Sequence, residues 1–368
     1  MPAKKKSRRM APGPRSARRQ KRPRKQASLS WAVALLDGTQ DIVRGELIRR
    51  CGRDCRLLSH ARADEIHFTY TGSPTKLLSL ATAQTLLLRT DFAVSRPRTL
   101  LSPEHTAALV ELIRKAQEIG GDGPARSFRF DAAGAGSPTM RRIAERIEEG
   151  LQMTFDPENG ECVIVFRPGG AGWEVLCRVG NRPLAARPWR TVNYRGSLNA
   201  AIAACMVELS RPQRGDKYLN IMCGSGTLLI ERLLRLPACL AVGLDRSARA
   251  VAAGRENAVA AGLAGRLQFI VGDARAVDFP EASFNVVTAD LPWGQLLGSK
   301  EANRPLYRAA LAEAARLCRR GGTMVLLTQD TPALKAALPQ LEQSWQIIDE
   351  RRIMQRGYRP LCLSLERR

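Results

Sequence analysis

Residues 218–231 read YLNIMCGSGTLLIE. A short run of strand-forming residues stops at Gly224-Ser225-Gly226, and a leucine-rich helix pattern begins at once. A strand that turns sharply into a helix needs glycines so that the backbone can bend and a ligand can come close. The helix start then offers N–H groups with no partner of their own. Two phosphate chemistries use this turn. A dinucleotide turn wants a third glycine three residues after the second, where this chain has Leu229, and a phosphate loop wants Gly-Lys-Ser/Thr, which is absent. What fits is a nucleotide without a phosphate at the turn, S-adenosylmethionine, which needs only the two close glycines.

Working outward, β and α patterns alternate from about residue 200. Strand candidates are YLNIM, LAVGLD, LQFIVGD, FNVVTAD and GTMVLLTQ, separated by helices such as TLLIERLLRL and RPLYRAALAEAARLC. Near-continuous apolar strands between helices imply a parallel sheet covered on both faces, an α/β fold. Acids fall at the ends of the next two strands. Asp245 comes 21 residues after Gly224, placed to bond ribose hydroxyls, and Asp273 in GDAR is placed to accept from an adenine amine. The donor site is therefore drawn from Asn220, Cys223, Gly224, Ser225, Gly226, Thr227, Asp245, Asp273 and Ala274. Cys223 reads as a packing residue, since no covalent intermediate is required.

The fourth strand runs into VVTADLPWGQLLG (286–298), where an acid, a proline and a tryptophan meet on the edge that gathers the other turns. An exocyclic amine on a nucleobase is a poor nucleophile because its lone pair is delocalised into the ring. Acceptors aimed at its two N–H groups can hold that lone pair toward a methyl group. Asp290 and the carbonyl of Leu291 can serve as acceptors, Pro292 stiffens the turn, Trp293 offers a face for an extruded base, and Gly294 lets the backbone pass close by. Tyr307 and RGYRP near the C-terminus are candidates to frame the base, though a hairpin turn explains RGYRP equally.

The first half is less regular. WAVALL reads as a strand, QDIVRGELIRRC as a helix, PTKLLSLATAQTLLL as a second apolar helix, and residues 126–180 as strand–helix–strand–strand. The chain of 368 residues carries a net charge of +23; residues 1–28 hold 12 lysines and arginines and no acid, leaving +11 on the remainder. That excess points to a polyanionic partner. The tail reads as disordered, either an arm for nucleic acid or a solubilising or targeting extension. Arg182, Arg187 and Arg190 in NRPLAARPWR are candidate phosphate contacts. WAVALL is too short for a signal peptide and no run reaches membrane-span length. Nine unpaired-looking cysteines, with Cys51 and Cys55 a lone C-x3-C, read as a reducing, intracellular, metal-free protein.

On MCGSGTLLIE, DLPWG and RPWRTVNYRGSLNAAIAACMVELS, the chain resembles the THUMP-domain class I RNA methyltransferases, in particular the tRNA guanine-N2 group. The resemblance implies a Rossmann-like methyltransferase domain with a mostly parallel seven-stranded sheet at 191–368. It places a THUMP-like RNA-binding region at 96–190 and a ferredoxin-like lead at 29–95, after a basic tail at 1–28. It implies S-adenosylmethionine as cofactor, tRNA as partner, and N2 of guanosine as the methylated atom. A monomer in the cytoplasm is expected, or an organelle if the tail is a transit peptide. Asn220 stands where that group usually has Asp, and Trp293 where it usually has Phe or Tyr. Other readings are methylation of an amine on rRNA or DNA, a non-catalytic RNA-binding protein keeping the fold, and, distantly, an NAD oxidoreductase.

Overall fold

A computed structural model describes residues 29–170, 172–294, 299–355 and 357–368. The basic tail therefore lies outside the described residues. Elements β1 (Leu29–Ala34), α1 (Gln40–Cys51), β2 (Cys55–Leu58), β3 (Glu65–Tyr70), β4 (Thr85–Phe92), α2 (Pro103–Gly120), β5 (Ser127–Ala132), α3 (Pro138–Leu151), β6 (Thr154–Phe155), β7 (Cys162–Gly169) and β8 (Gly172–Arg178) form the first half. Their strands make one sheet in the order β2-β3-β1-β4-β8-β7-β5-β6.

One apolar core, from Trp31 and Phe68 through Leu86 and Ile113 to Phe166, lies under that whole sheet. The division expected at residue 95 thus falls inside a continuous sheet, where Leu87 to Phe92 pair with Arg178 to Trp173. The apolar helix expected over PTKLLSLATAQTLLL is a correction. Pro74–Ser79 is a short 3-10 turn and Thr85–Phe92 is strand β4. Leu86 and Leu88 bury on one side while β1 and β8 flank the strand, so two ready partners outweigh the helix propensity of leucine.

The second half comprises α4 (Ala200–Leu209), β9 (Lys217–Ile221), α5 (Thr227–Arg235), β10 (Leu240–Asp245), α6 (Ala248–Ala260), β11 (Gln268–Val271), β12 (Phe284–Asp290), α7 (Lys300–Leu317), β13 (Cys318–Thr328), α8 (Thr331–Leu341), β14 (Trp345–Arg352) and β15 (Leu361–Arg367). Its sheet runs β11-β10-β9-β12-β13-β15-β14, the expected seven strands. Strands β9 to β13 are parallel, while β15 is antiparallel to both β13 and β14. Strand order reverses between β9 and β12, and a crevice opens beyond the C-terminal ends of strands at such a switch point.

The halves are tied together. Met354 N–H donates to the Asp37 carbonyl at 3.0 Å, Arg351 pairs with Asp41 at 2.7 Å, and Arg49 pairs with Glu208 at 2.7 Å. These contacts seat α1 beside α4. Among the described residues, no helix is long and apolar enough to cross a membrane, and no group of three or more His, Cys, Asp and Glu could hold a metal ion.

Candidate active site

The glycine turn sits at the end of β9, one strand from the end of β12. Gly226 caps α5 with φ 78° and no side-chain cap, so the first-turn N–H groups of α5 stay open. A Cβ at Gly226 would meet the Phe269 ring at 2.7 Å, whereas one at Gly224 (φ 53°) would project into open space. The first glycine therefore faces open space and the second faces the protein. Gly224 N–H donates to Asp245 Oδ2 at 2.8 Å and Ser247 N–H to Asp245 Oδ1 at 2.9 Å. Both carboxylate oxygens are thereby aimed, each with a lone pair to spare for hydroxyls. An open Gly224, uncapped N–H groups and an aimed carboxylate fit a nucleoside-bearing methyl donor.

The other expected donor residues are placed as follows. Asn220 is buried; its amide N–H donates to the Thr288 carbonyl at 3.1 Å, stitching β9 to β12, and its Oδ1 has no partner among the described residues. Cys223 packs against Gly243, and burial pushes its thiol far above the usual range, away from a nucleophile's. Ser225 Oγ meets Ser197 Oγ at 2.8 Å, and Thr227 Oγ1 accepts from Arg190 at 3.0 Å. Asp273 lies two residues past β11. It is half-exposed, with its carboxylate forked by Arg275 at 2.6 and 3.0 Å, and that guanidinium holds it below the ordinary value. Ala274 is buried beside it.

Asp290 ends β12. The residue keeps some exposure, but Oδ1 is enclosed and has no hydrogen-bond partner among the described residues. Burial raises its carboxyl to about 7, against a smaller downward pull from Trp293. Leu291 N–H donates to the Leu327 carbonyl at 2.9 Å. The Pro292 carbonyl receives two donors from α7, Asn303 Nδ2 at 2.9 Å and the Tyr307 hydroxyl at 2.6 Å. Behind them, Asn303 also donates to Asp330 at 2.9 Å and Tyr307 meets Thr328 Oγ1 at 2.6 Å. Trp293 lies 5.8 Å from Tyr358, whose turn is closed by a bridge to Gln355, so Tyr358 of RGYRP belongs to a closed turn and also stands beside Trp293; Arg356 lies outside the described residues. Gly294 abuts the start of α7, where a Cβ would lie 2.9 Å from the Lys300 nitrogen.

A cavity of about 580 Å³ opens next to this turn, lined by Trp293, Lys300, Arg304 and Gln329 among others. Sequence reasoning missed Asn303, Thr328, Asp330 and Gln329. The signal was present: Asn303 and Tyr307 are polar residues four apart on the buried side of a helix, a spacing that puts them on one face.

The three connector arginines separate. Arg182 is exposed. Arg187 is a correction: it pairs with buried Glu231 at 2.7 Å and donates to the Leu184 and Ala81 carbonyls, so its fork is spent inside the protein. Arg190 is also turned inward, to the Leu198 carbonyl at 2.7 Å and Thr227. A connector that must lie flat on α5 needs its charges neutralised there, and Glu231 supplies the partner.

A glycine turn, an aimed acid and an amine-type turn at one switch point define a Rossmann-like methyltransferase. The family described as UPF0020, RMKL-like, methyltransferase domain, matches residues 187–360. A tRNA (guanine(6)-N2)-methyltransferase of Thermus thermophilus is 30% identical over 256 residues, covering 66% of this chain and 74% of that protein. The tRNA (guanine(6)-N(2))-methyltransferase THUMP3 of Bos taurus is 30% identical over 173 residues, 43% of this chain and 34% of the bovine protein. This chain thus matches about a third of that longer relative. The crystal structure of TrmN from Thermus thermophilus shares the fold at TM-score 0.71 and 24% identity, covering 92% of this chain and all of that one. The chain belongs to the tRNA guanine-N2-methyltransferase family of RMKL-like methyltransferases, and it is an enzyme of that class.

Proposed function

We propose that the chain transfers a methyl group from S-adenosylmethionine to the exocyclic N2 amine of a guanosine in tRNA. The observation that carries this reading is the Asp290–Leu291–Pro292–Trp293 turn, held rigidly from behind with an unpaired carboxylate oxygen, one strand from the open Gly224 turn. Gly224, the α5 N–H groups and Asp245 hold the donor, with Asp273 toward its base. When bound, the donor supplies an electrophilic methyl carbon on a positively charged sulfur.

The protein's own part is orientation and proton handling. Asp290 and the Leu291 carbonyl accept from the two N–H groups of the amine, which aims its lone pair out of the guanine plane. Bond formation to nitrogen leaves the amine with a surplus proton, and a carboxylate of pKa about 7 in contact with it is suited to take it. Trp293 stacks on the extruded base, and exposed Arg182 on the connector engages an RNA phosphate.

The test is tritium transfer from labelled S-adenosylmethionine to unmodified total tRNA, followed by nucleoside digestion, with Asp290→Ala as control. Labelled N2-methylguanosine that vanishes in the variant is the expected result. Label in a different amino-nucleoside would overturn the base, label only in rRNA would overturn the polymer, and no label anywhere would overturn the activity.

A further inference from the structure

Resting on that reading, we infer that Gln329 is the residue that selects guanine, by accepting from N1–H of the base whose N2 amine lies at Asp290. Gln329 follows the last residue of β13, the strand beside β12, with Asp290 in register with Leu327. Val325, Leu327 and Trp293 share one apolar cluster, and Gln329 lies in the bend that follows the strand. Gln329 and Trp293 line the same cavity of about 580 Å³. Gln329 Oε1 is enclosed, shut off from solvent, and has no hydrogen-bond partner among the described residues, so a turn of its side chain is what would present it to the cavity. The neighbouring acid does not compete for the role. Asp330 is committed to Asn303 at 2.9 Å and to Ala333 N–H at the start of α8 at 3.1 Å.

The chemistry of the base selects between readings of that oxygen. On the guanine edge, the N2 amine is followed by the N1–H donor and then the O6 acceptor. With both amine protons taken by Asp290 and Leu291, the next group along the edge needs an acceptor. A primary amide supplies one, with its own N–H₂ beside it for O6. An adenine placed with its amine at Asp290 presents a bare N1 there, an acceptor facing an acceptor. A site built to hydrogen-bond one substrate rejects an analogue that cannot reciprocate far better than an apolar pocket does.

The experiment compares kcat/KM for one RNA carrying guanosine or 2-aminopurine riboside at the methylated position. The analogue keeps the 2-amino group and lacks both N1–H and O6. The wild-type chain is expected to prefer guanosine by at least about tenfold. Gln329→Leu is expected to bring the ratio close to one, mainly by losing guanosine activity, while Gln329→Glu, which keeps the acceptor, retains most of the preference. Binding of S-adenosylhomocysteine by calorimetry reports whether each variant is folded, and Gln329→Asn, one methylene shorter, replaces the Leu variant if that one is not. A wild-type chain that methylates guanosine, with an undiminished preference in a folded Gln329→Leu or Gln329→Asn chain, overturns the inference and leaves the reading beneath it intact. No transfer to any RNA by the wild-type chain overturns the reading itself.

Discussion

The Tyr307 hydroxyl donates to the carbonyl of Pro292 at 2.6 Å, and so the Asp290–Trp293 turn is positioned from a helix that begins after it in the chain. Because Tyr307 gives its one proton to Pro292, the Thr328 hydroxyl at 2.6 Å donates to Tyr307, and Asp330 N–H at 3.0 Å donates to Thr328. The chain of bonds runs from the end of β13 through α7 to the turn after β12, each donor polarised by the one behind it. Tyr307→Phe leaves Thr328 without its acceptor and Pro292 with Asn303 alone, a loss of about 1–2 kcal/mol in stability. The larger effect is on alignment. Since a small misplacement of an acceptor costs far more in rate than in binding, kcat is expected to fall about tenfold or more. Donor affinity is expected to hold. Steady-state kinetics with titration calorimetry checks both, and an equal loss in kcat and donor affinity would assign Tyr307 to general stability.

Asp290 sets a pH dependence whose sign follows from its raised carboxyl. It must be ionised to accept from the amine, and burial holds its pKa at about 7, so kcat/KM is expected to rise with pH through that value. In the loaded complex the donor's positive sulfur favours the carboxylate, and the rise in kcat falls at lower pH. Stability moves the other way. A carboxyl whose folded pKa lies above its unfolded value of about 4 costs stability progressively as pH rises from about 4 to about 7. Asp290→Asn, almost inactive, is therefore expected to gain stability over the wild type across that window and to hold the gain above it. Thermal melts of both chains from pH 4 to 8 make the comparison, and parallel curves would remove Asp290 as the titrating group.

Much of this site could be read in the sequence because its parts are backbone events. A strand ending in two glycines, an acid at the end of the next strand, and Asp-Leu-Pro-Trp-Gly each leave a local signature. The supporting network does not, because Asn303, Thr328 and Asp330 come together only through the packing of α7 and α8 on β13. The connector shows the same limit. Arg182, Arg187 and Arg190 look alike in NRPLAARPWR, and only the positions of Glu231 and Thr227 on α5 separate the inward pair from the exposed one. In the first half the leucines of 77–88 suit helix or strand, and the neighbouring strands β1 and β8, not the segment, decide.

The two glycines of the donor turn are expected to fail differently. Gly224→Ala meets no atom within 4 Å, so its cost is the left-handed backbone alone, about 1 kcal/mol, and the methyl enters the space a donor would use. Gly226→Ala adds a clash with Phe269 at 2.7 Å to the same backbone penalty, for a loss of about 2–4 kcal/mol. Denaturant melts should show the first variant nearly as stable as wild type but binding S-adenosylhomocysteine at least tenfold more weakly. The second should be visibly destabilised. The opposite order would place the ligand at Gly226.

Arg187 and Arg182 make the last contrast. Removing Arg187 leaves Glu231, already raised by burial, enclosed without its main partner. Losing one member of a buried pair costs about 3–5 kcal/mol. Arg187→Met is therefore expected to destabilise the fold strongly at pH 8. The loss should shrink toward pH 5, where a further-raised Glu231 takes a proton and no longer needs a cation. Arg182, exposed, is expected to leave stability within about 0.5 kcal/mol when changed to Ala. That variant should weaken tRNA binding instead and reduce the slope of log affinity against log salt by about one. Melts at the two pH values and filter binding across a salt series separate the residues. An unchanged salt slope in Arg182→Ala would take the exposed arginine off the RNA surface, as Glu231 already takes its neighbour.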